Sequence, residues 1–140
     1  MKNVLSIIAL LFLTFHFAEA QDNTTTLTVK ISDLRVQKGT VYVGLYDAAE
    51  NWMGKRAYSA MAKAKQDAVT VTFEDIPEGK YAISIYHDKN DNGKFDTNFL
   101  GIPAEPYAFS AGAKGRFGPP SWERAAFQVA GPKSSHEIAF

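Results

Sequence analysis

The sequence predicts an all-β fold, an antiparallel seven-stranded sandwich of immunoglobulin-like or prealbumin-like style. Three observations lead there. Apolar and polar residues alternate with period two in successive short runs, the mark of half-buried strands. Glycine and proline punctuate those runs at turn positions. A mature length of 140 − 20 = 120 residues makes one domain with a single modest core.

The first twenty residues read as an address rather than as structure. Lys2 is followed by an almost unbroken apolar run from Val4 to Phe17, and Ala18-Glu19-Ala20 then supplies a small-x-small cleavage pattern. The run is shorter than the roughly 20 residues that cross a bilayer as a helix. A signal peptide cleaved after Ala20 is therefore expected, with a secreted or periplasmic product that is not inserted in the membrane. No cysteine follows the apolar stretch, which excludes a lipid-anchored start. Gln21–Thr26 is polar and threonine-rich, a flexible lead-in to a domain spanning residues 27–140.

Within that domain Leu27, Val29 and Ile31 form the first apolar set, and Val41, Val43 and Leu45 the second. Lys38-Gly39 marks the turn between them. Trp52–Gln66 is alanine-rich, with helical propensity, but its place between two strands favours a strand over Tyr58–Lys65. Val69, Val71 and Phe73 follow, then Ile76-Pro77-Glu78-Gly79, whose proline pre-sets a turn and whose glycine supplies a positive φ. Tyr81, Ile83 and Ile85 come next. Phe127 with Val129, and Ile138 with Phe140, complete the pattern. Each set falls on one side of a pleated strand, as two facing sheets require. Leu100–Arg124, with four prolines, is a long loop of the packed, Ω-like kind.

Formal charge is balanced, 15 basic against 15 acidic residues, so nucleic acid and anionic membranes are not the expected partners. There is no cysteine nucleophile and no serine in a Gly-x-Ser-x-Gly elbow. A noncatalytic role is expected.

Chemistry concentrates in Asp88-Lys89-Asn90-Asp91-Asn92-Gly93-Lys94-Phe95-Asp96. Oxygen side chains stand at positions 1, 3, 5 and 9, with glycine at position 6. A chain curling around a hard cation turns every second side chain inward, and the glycine permits the bend that brings the next carbonyl to the ion. Asp88, Asn90, Asn92 and Asp96 would supply side-chain oxygens and Lys94 its carbonyl. An EF-hand would have glutamate at position 12, where this chain has Phe99. The missing ligand falls to Asp91, Asn98 or Glu105, with Glu105 preferred, or is replaced by water. With few carboxylates, a calcium affinity of roughly 10⁻⁴–10⁻³ M is expected.

At these residues the chain resembles the secreted bacterial domains catalogued as domain of unknown function 2141. The likeness rests on Gly39-Thr40-Val41-Tyr42-Val43, on Phe73-Glu74-Asp75-Ile76-Pro77-Glu78-Gly79-Lys80-Tyr81, on the loop with His87 before it, and on Gly101-Ile102-Pro103-Ala104-Glu105 and Gly118-Pro119-Pro120-Ser121-Trp122. It implies export and a β fold, and it assigns no activity. The loop is also similar to calcium loops of B-type repeats in bacterial surface adhesins, an analogy that implies the same four side-chain ligands.

Two further sets bear on function. Tyr42, Tyr46 and Tyr86 lie opposite the apolar sets of their strands and would form an aromatic platform for a protein or glycan of the cell envelope, or simply pack across strands. Trp52, Phe109, Phe117 and Trp122 are expected to close the ends of the sandwich. The competing functional reading is a metal-dependent enzyme or carrier using the His87–Glu105 region, since imidazole suits transition metals.

Overall fold

The computed structural model describes residues 23–140, so the expected signal peptide and its expected cleavage after Ala20 lie outside the described residues. Eight strands follow one another: β1 (Thr24–Ser32), β2 (Thr40–Tyr46), β3 (Tyr58–Lys63), β4 (Val69–Pro77), β5 (Gly79–Asp88), β6 (Tyr107–Phe109), β7 (Phe127–Val129) and β8 (Lys133–Ala139). They form two facing sheets. One has the order β4-β1-β8, the other β3-β2-β5-β6, with β7 also on β5.

The period-two reading of the strands holds. Leu27, Val29, Ile31, Val41, Val43, Leu45, Tyr81, Ile83, Ile85, Val129 and Ile138 all lie in one buried core. Alternation puts each set on the inner face because side chains one residue apart on a strand point to opposite sides. The alanine-rich stretch is a strand: β3 pairs antiparallel with β2 over six residues, from Thr40 opposite Lys63 to Leu45 opposite Tyr58. Sheet pairing here overrides the helical propensity of alanine.

Several details differ from the sequence-based expectation. Among the described residues there are eight strands rather than seven, because the outer edge of β5 is shared. β6 covers Ser84–Tyr86 and β7 covers Gly79–Tyr81, so two three-residue strands occupy one strand position. The pairing is not antiparallel throughout, since β8 runs parallel to β1 from Thr26 opposite Lys133 to Ser32 opposite Ala139. Thr24–Thr26 is not a loose lead-in. Thr24 and Thr25 pair with Pro77 and Ile76, and Thr25 is buried. The segment 100–124 is not loop alone, for it contains β6, a 3₁₀ turn at Ser110–Gly112 and the short helix α1 (Trp122–Ala125).

That segment is pinned from several sides. Where β6 ends and β7 has not yet begun, the backbone of Ile83 has no strand neighbour on that outer edge, although β2 pairs with it on the other. Ser110 fills the gap: its Oγ accepts a hydrogen bond from Ile83 N at 2.8 Å and donates one to Ala125 O at 2.6 Å. Trp52 Nε1 donates to Pro120 O at 2.7 Å. Trp52 and Trp122 pack with Phe109, Ala82, Ala113 and Ala125 into a second apolar cluster. Because Ala82 alternates with the core residues Tyr81 and Ile83, this cluster sits on the outer face of the larger sheet. Trp52, Phe109 and Trp122 therefore build a second small core instead of closing the sandwich ends. Phe117 does neither, being fully exposed at 102%.

His136 on β8 stacks on Phe127, with centroids 3.9 Å apart, and its Nε2 accepts a hydrogen bond from Ala111 N at 3.1 Å. Burial holds the imidazole below its ordinary value of 6.5. A histidine whose folded pKa is depressed binds fewer protons when folded than when unfolded, so protonation opposes folding. Stability should be complete above pH 6.5 and fall as pH drops through the window below it. We expect a lower urea midpoint at pH 5 than at pH 7.5, and a smaller difference in His136→Phe, which keeps the stacking and cannot titrate. Equal pH dependence in both proteins would show that His136 is not the source.

Candidate functional site

The Asp88–Asp96 loop leaves the end of β5 and is bounded by two buried carboxylates. Asp88 is fully buried and Glu105 is 6% exposed. Buried carboxylates need hydrogen-bond partners, and both have them. The Asp88 carboxylate accepts from Asn92 N at 3.2 Å and Gly93 N at 2.7 Å, curling the chain around it. Gly93 has φ 75°, the left-handed value that glycine adopts at low cost.

The next inward side chains converge on Asp96. Asn90 Nδ2 donates to Asp96 Oδ2 at 2.8 Å, and Asn92 Nδ2 donates to Asp96 Oδ1 at 3.0 Å and Oδ2 at 2.8 Å. These bonds, first from Asn92 and then from Asn90, hold the Asp96 carboxyl below its usual value of 3.8. The Oδ1 atoms of Asn90 and Asn92 accept from Asn92 N and Lys94 N, closing two local turns. The Lys94 residue itself is exposed.

Glu105 does not join this cluster. Its Oε1 accepts from Lys89 N and its Oε2 from Asp96 N, both at 3.1 Å. One carboxylate thus clasps the two ends of the loop. The other two candidates for the missing ligand are also committed. Asn98 Oδ1 accepts from Leu100 N and Ile102 N within its own turn. Asp91 has φ 58° and points away, to Thr40 Oγ1 and to Lys63 Nζ at 2.8 Å. Lys63 first, then Thr40, hold the Asp91 carboxyl low. Among the described residues no three His, Cys, Asp or Glu side chains gather as a metal-holding group.

His87 immediately before the loop is buried. Its Nε2 lies 2.7 Å from Lys38 O, and its ring centroid lies 6.0 Å from that of Phe140. It borders a cavity of about 290 Å³ that Glu105 also lines, but Asp88 is not part of that lining.

The tyrosines part company. Tyr42 and Tyr86 stand opposite each other across β2 and β5 and stack at 5.0 Å with 12° between their planes. Burial, ahead of the neighbouring Tyr42, raises the Tyr86 hydroxyl above its ordinary pKa. Tyr46 is not on an open platform. It is 2% exposed, lies edge-on to Trp52 at 5.0 Å, and has its hydroxyl 3.3 Å from Ser84 Oγ.

What the sequence reading missed is a cleft of about 580 Å³ beside Tyr86. Its floor includes Tyr46, Ser84 and Tyr86, and its walls include Phe95 and Tyr107, with Phe117 at the rim. Phe95, from position 8 of the loop, sits edge-on to Tyr86 at 5.3 Å and to Tyr107 at 5.9 Å. The available signal was the density of aromatic residues within Phe95–Phe117, which the loop assignment absorbed.

The family described as an uncharacterized protein conserved in bacteria (DUF2141) matches residues 29–137. The chain belongs to this family. The matched span runs from the first core strand through the loop, the cleft and β7 into β8. No curated protein and no solved structure matches the chain. The family description assigns no activity, so the site must be interpreted from its own geometry.

Proposed function

We propose that this member of the family is an exported, noncatalytic binding module of the cell envelope, in which calcium taken up by Asp88–Asp96 stiffens the segment that follows. The observation that carries the reading is the convergence of the Asn90 and Asn92 amides on the Asp96 carboxylate. A half-turn of each amide would present an oxygen where an N–H now stands. Three oxygen side chains would then face one point beside the Asp88 carboxylate, with the Lys94 carbonyl available as well. Hard cations such as calcium take oxygen ligands of this kind in flexible loops.

Stiffening the loop would matter because of what it supports. Past Asp96 the chain turns back on itself, with Thr97 bridged to Pro103 and Ala104 N bonded to Asp96 O at 2.9 Å. The tip of that turn carries Phe99 at 95% exposure and Leu100 at 68%. Exposed apolar side chains held at a loop tip suit a protein partner, and the Tyr42–Tyr86 stack suits either a protein or a glycan. The alternative, a metal-dependent enzyme or carrier in the His87–Glu105 region, has less support. There the His87 ring faces Lys38 O, and both Glu105 oxygens accept backbone N–H groups.

The test is calcium titration of chelator-stripped protein, followed by thermal unfolding. At about 5 mM calcium, an affinity in the expected range contributes roughly 1–2 kcal/mol, a rise of several degrees in the midpoint. Asp96→Ala should abolish that rise while leaving the fold intact, because Asp96 lies on the surface side of the loop. No rise in the parent protein, or an equal rise in the variant, would remove calcium from the account.

A further inference from the structure

We propose that the cleft beside Tyr86 is a binding site for a small amphipathic anion, with a flat apolar body and one carboxylate-like head. The assignment stands on the cleft's own residues and is independent of whether the neighbouring loop takes up calcium.

The size and lining come first. A volume of about 580 Å³ falls within the roughly 300–1,000 Å³ range of small-molecule sites. Aromatic rings dominate the walls in edge-to-face order, from Tyr86 through Phe95 to Tyr107 and on to Phe109, at centroid spacings of 5.3, 5.9 and 5.8 Å. Such a wall offers ring edges and faces to a flat apolar guest. Across from it the segment 116–119 brings the fully exposed Phe117 ring to the rim. A ring of that size left in water costs hydrophobic free energy that a guest would recover.

Charge then selects the guest. Among the described residues, the charged ones lining the cleft are Arg56 and Arg116, with no carboxylate beside them. Among the described residues the ion pairs are Lys30–Glu137 and Lys63–Asp91, so neither arginine is neutralised by an acidic partner. Two unopposed guanidiniums at the mouth of an apolar cleft attract anions and repel cations. Their planar donor forks match a carboxylate in particular.

Arg56 is also placed by the sheet. Gly44 on β2 has no side chain, and a β-carbon there would lie 3.0 Å from both Cδ and Nε of Arg56. The arginine stem therefore lies against bare backbone, which narrows the positions its guanidinium can take. A glycine in a strand interior weakens the strand, and here it makes room for this side chain. A glycan, which needs many polar partners, matches this lining less well than an apolar anion does.

The test compares two probes of nearly the same shape, 2-naphthoate and the neutral 2-naphthamide, by calorimetry, with and without calcium chelator. Expected is binding of naphthoate at least about tenfold tighter than naphthamide, in line with one charge-assisted contact. The double variant Arg56→Gln/Arg116→Gln should erase that preference while leaving the thermal midpoint unchanged, since both side chains are exposed. Phe117→Ala should weaken both probes together. Naphthoate and naphthamide binding equally, no binding of naphthoate, or a preference that survives the double variant would each overturn the proposal. Because the comparison is repeated in chelator, failure of the calcium reading leaves its outcome readable.

Discussion

Gly39→Ala is expected to destabilise the protein by about 3 kcal/mol or more, enough to lower the thermal midpoint by roughly 10 °C. Two separate costs combine. Gly39 has φ 82°, where an alanine carries about 1–2 kcal/mol of strain. Its β-carbon would also lie 2.0 Å from the carbonyl oxygen of Asp88. That oxygen belongs to backbone and cannot swing aside, so the turn before β2 and the start of the Asp88 loop must move apart. Overpacking of this kind costs about 1–3 kcal/mol. Gly93→Ala separates the two costs. At φ 75° it carries the strain, but nothing lies within 4 Å of its β-carbon. Thermal melts of the two variants should differ clearly. If they melt together, the close approach of Gly39 to Asp88 has no energetic weight.

Ser110→Ala should cost about 2–4 kcal/mol, although it removes a single oxygen. Ser110 is completely buried, and its hydroxyl serves the amide of Ile83 and the carbonyl of Ala125 together. Alanine leaves both without a partner in a place water does not reach, and each unsatisfied group costs about 1–3 kcal/mol. The loss has a local signature that a general loosening would not share. Amide exchange at Ile83 should accelerate far more than at Ile85, whose strand pairing with Val43 and Ala108 is untouched. Unchanged protection at Ile83 would show that the hydroxyl is not what satisfies it.

How far the sequence carried depends on the kind of signal. The core strands were legible because burial on one face writes itself as alternation, and Val41, Val43 and Leu45 could hardly read otherwise. The β4–β5 turn was legible because Pro77 fixes its own φ while Gly79 admits a positive one. The divided edge of β5 was not. Tyr107–Phe109 is three residues, too short for a period to declare itself. The alternation of Phe127 and Val129 was readable, but nothing local shows that both segments share one edge of a strand far away in sequence. The parallel alignment of β8 was hidden for a similar reason, since alternation says which face a strand buries and nothing of its direction.

The site divides along the same line. The curl of Asp88, Asn90, Asn92 and Asp96 was readable because local spacing produces it. Glu105 was singled out as a candidate ligand, and its grip on the amides of Lys89 and Asp96 had no sign in the sequence. Whether a carboxylate points at an ion or grips two backbone amides depends on chain paths that spacing does not encode. Tyr46 was grouped with Tyr42 and Tyr86 because alternation places all three on one face, and only the fold shows Trp52 lying over it. The cleft needed Gly44, Arg56, Phe95 and Phe117 to meet from four separate segments, a juxtaposition with no linear trace.

The parallel pairing of β1 with β8 also sets a schedule. β1 is the central strand of its sheet, yet its neighbours are β4 and β8, which begin at Val69 and Lys133. A ribosome delivers β1 ahead of both partners, and the last of them only after about a hundred further residues. The closure of so long a loop must precede any reward from the contacts it makes, and topologies of this sort fold slowly, on the order of milliseconds to seconds. The larger sheet has no such delay between β2 and β3 or between β5 and β6. Until β8 arrives β1 can pair with β4 on one edge only, and its other edge stays open, the situation in which chains cling to one another. An early vulnerability of this protein is therefore one of timing: a strand made ahead of both its partners is among the last to be enclosed.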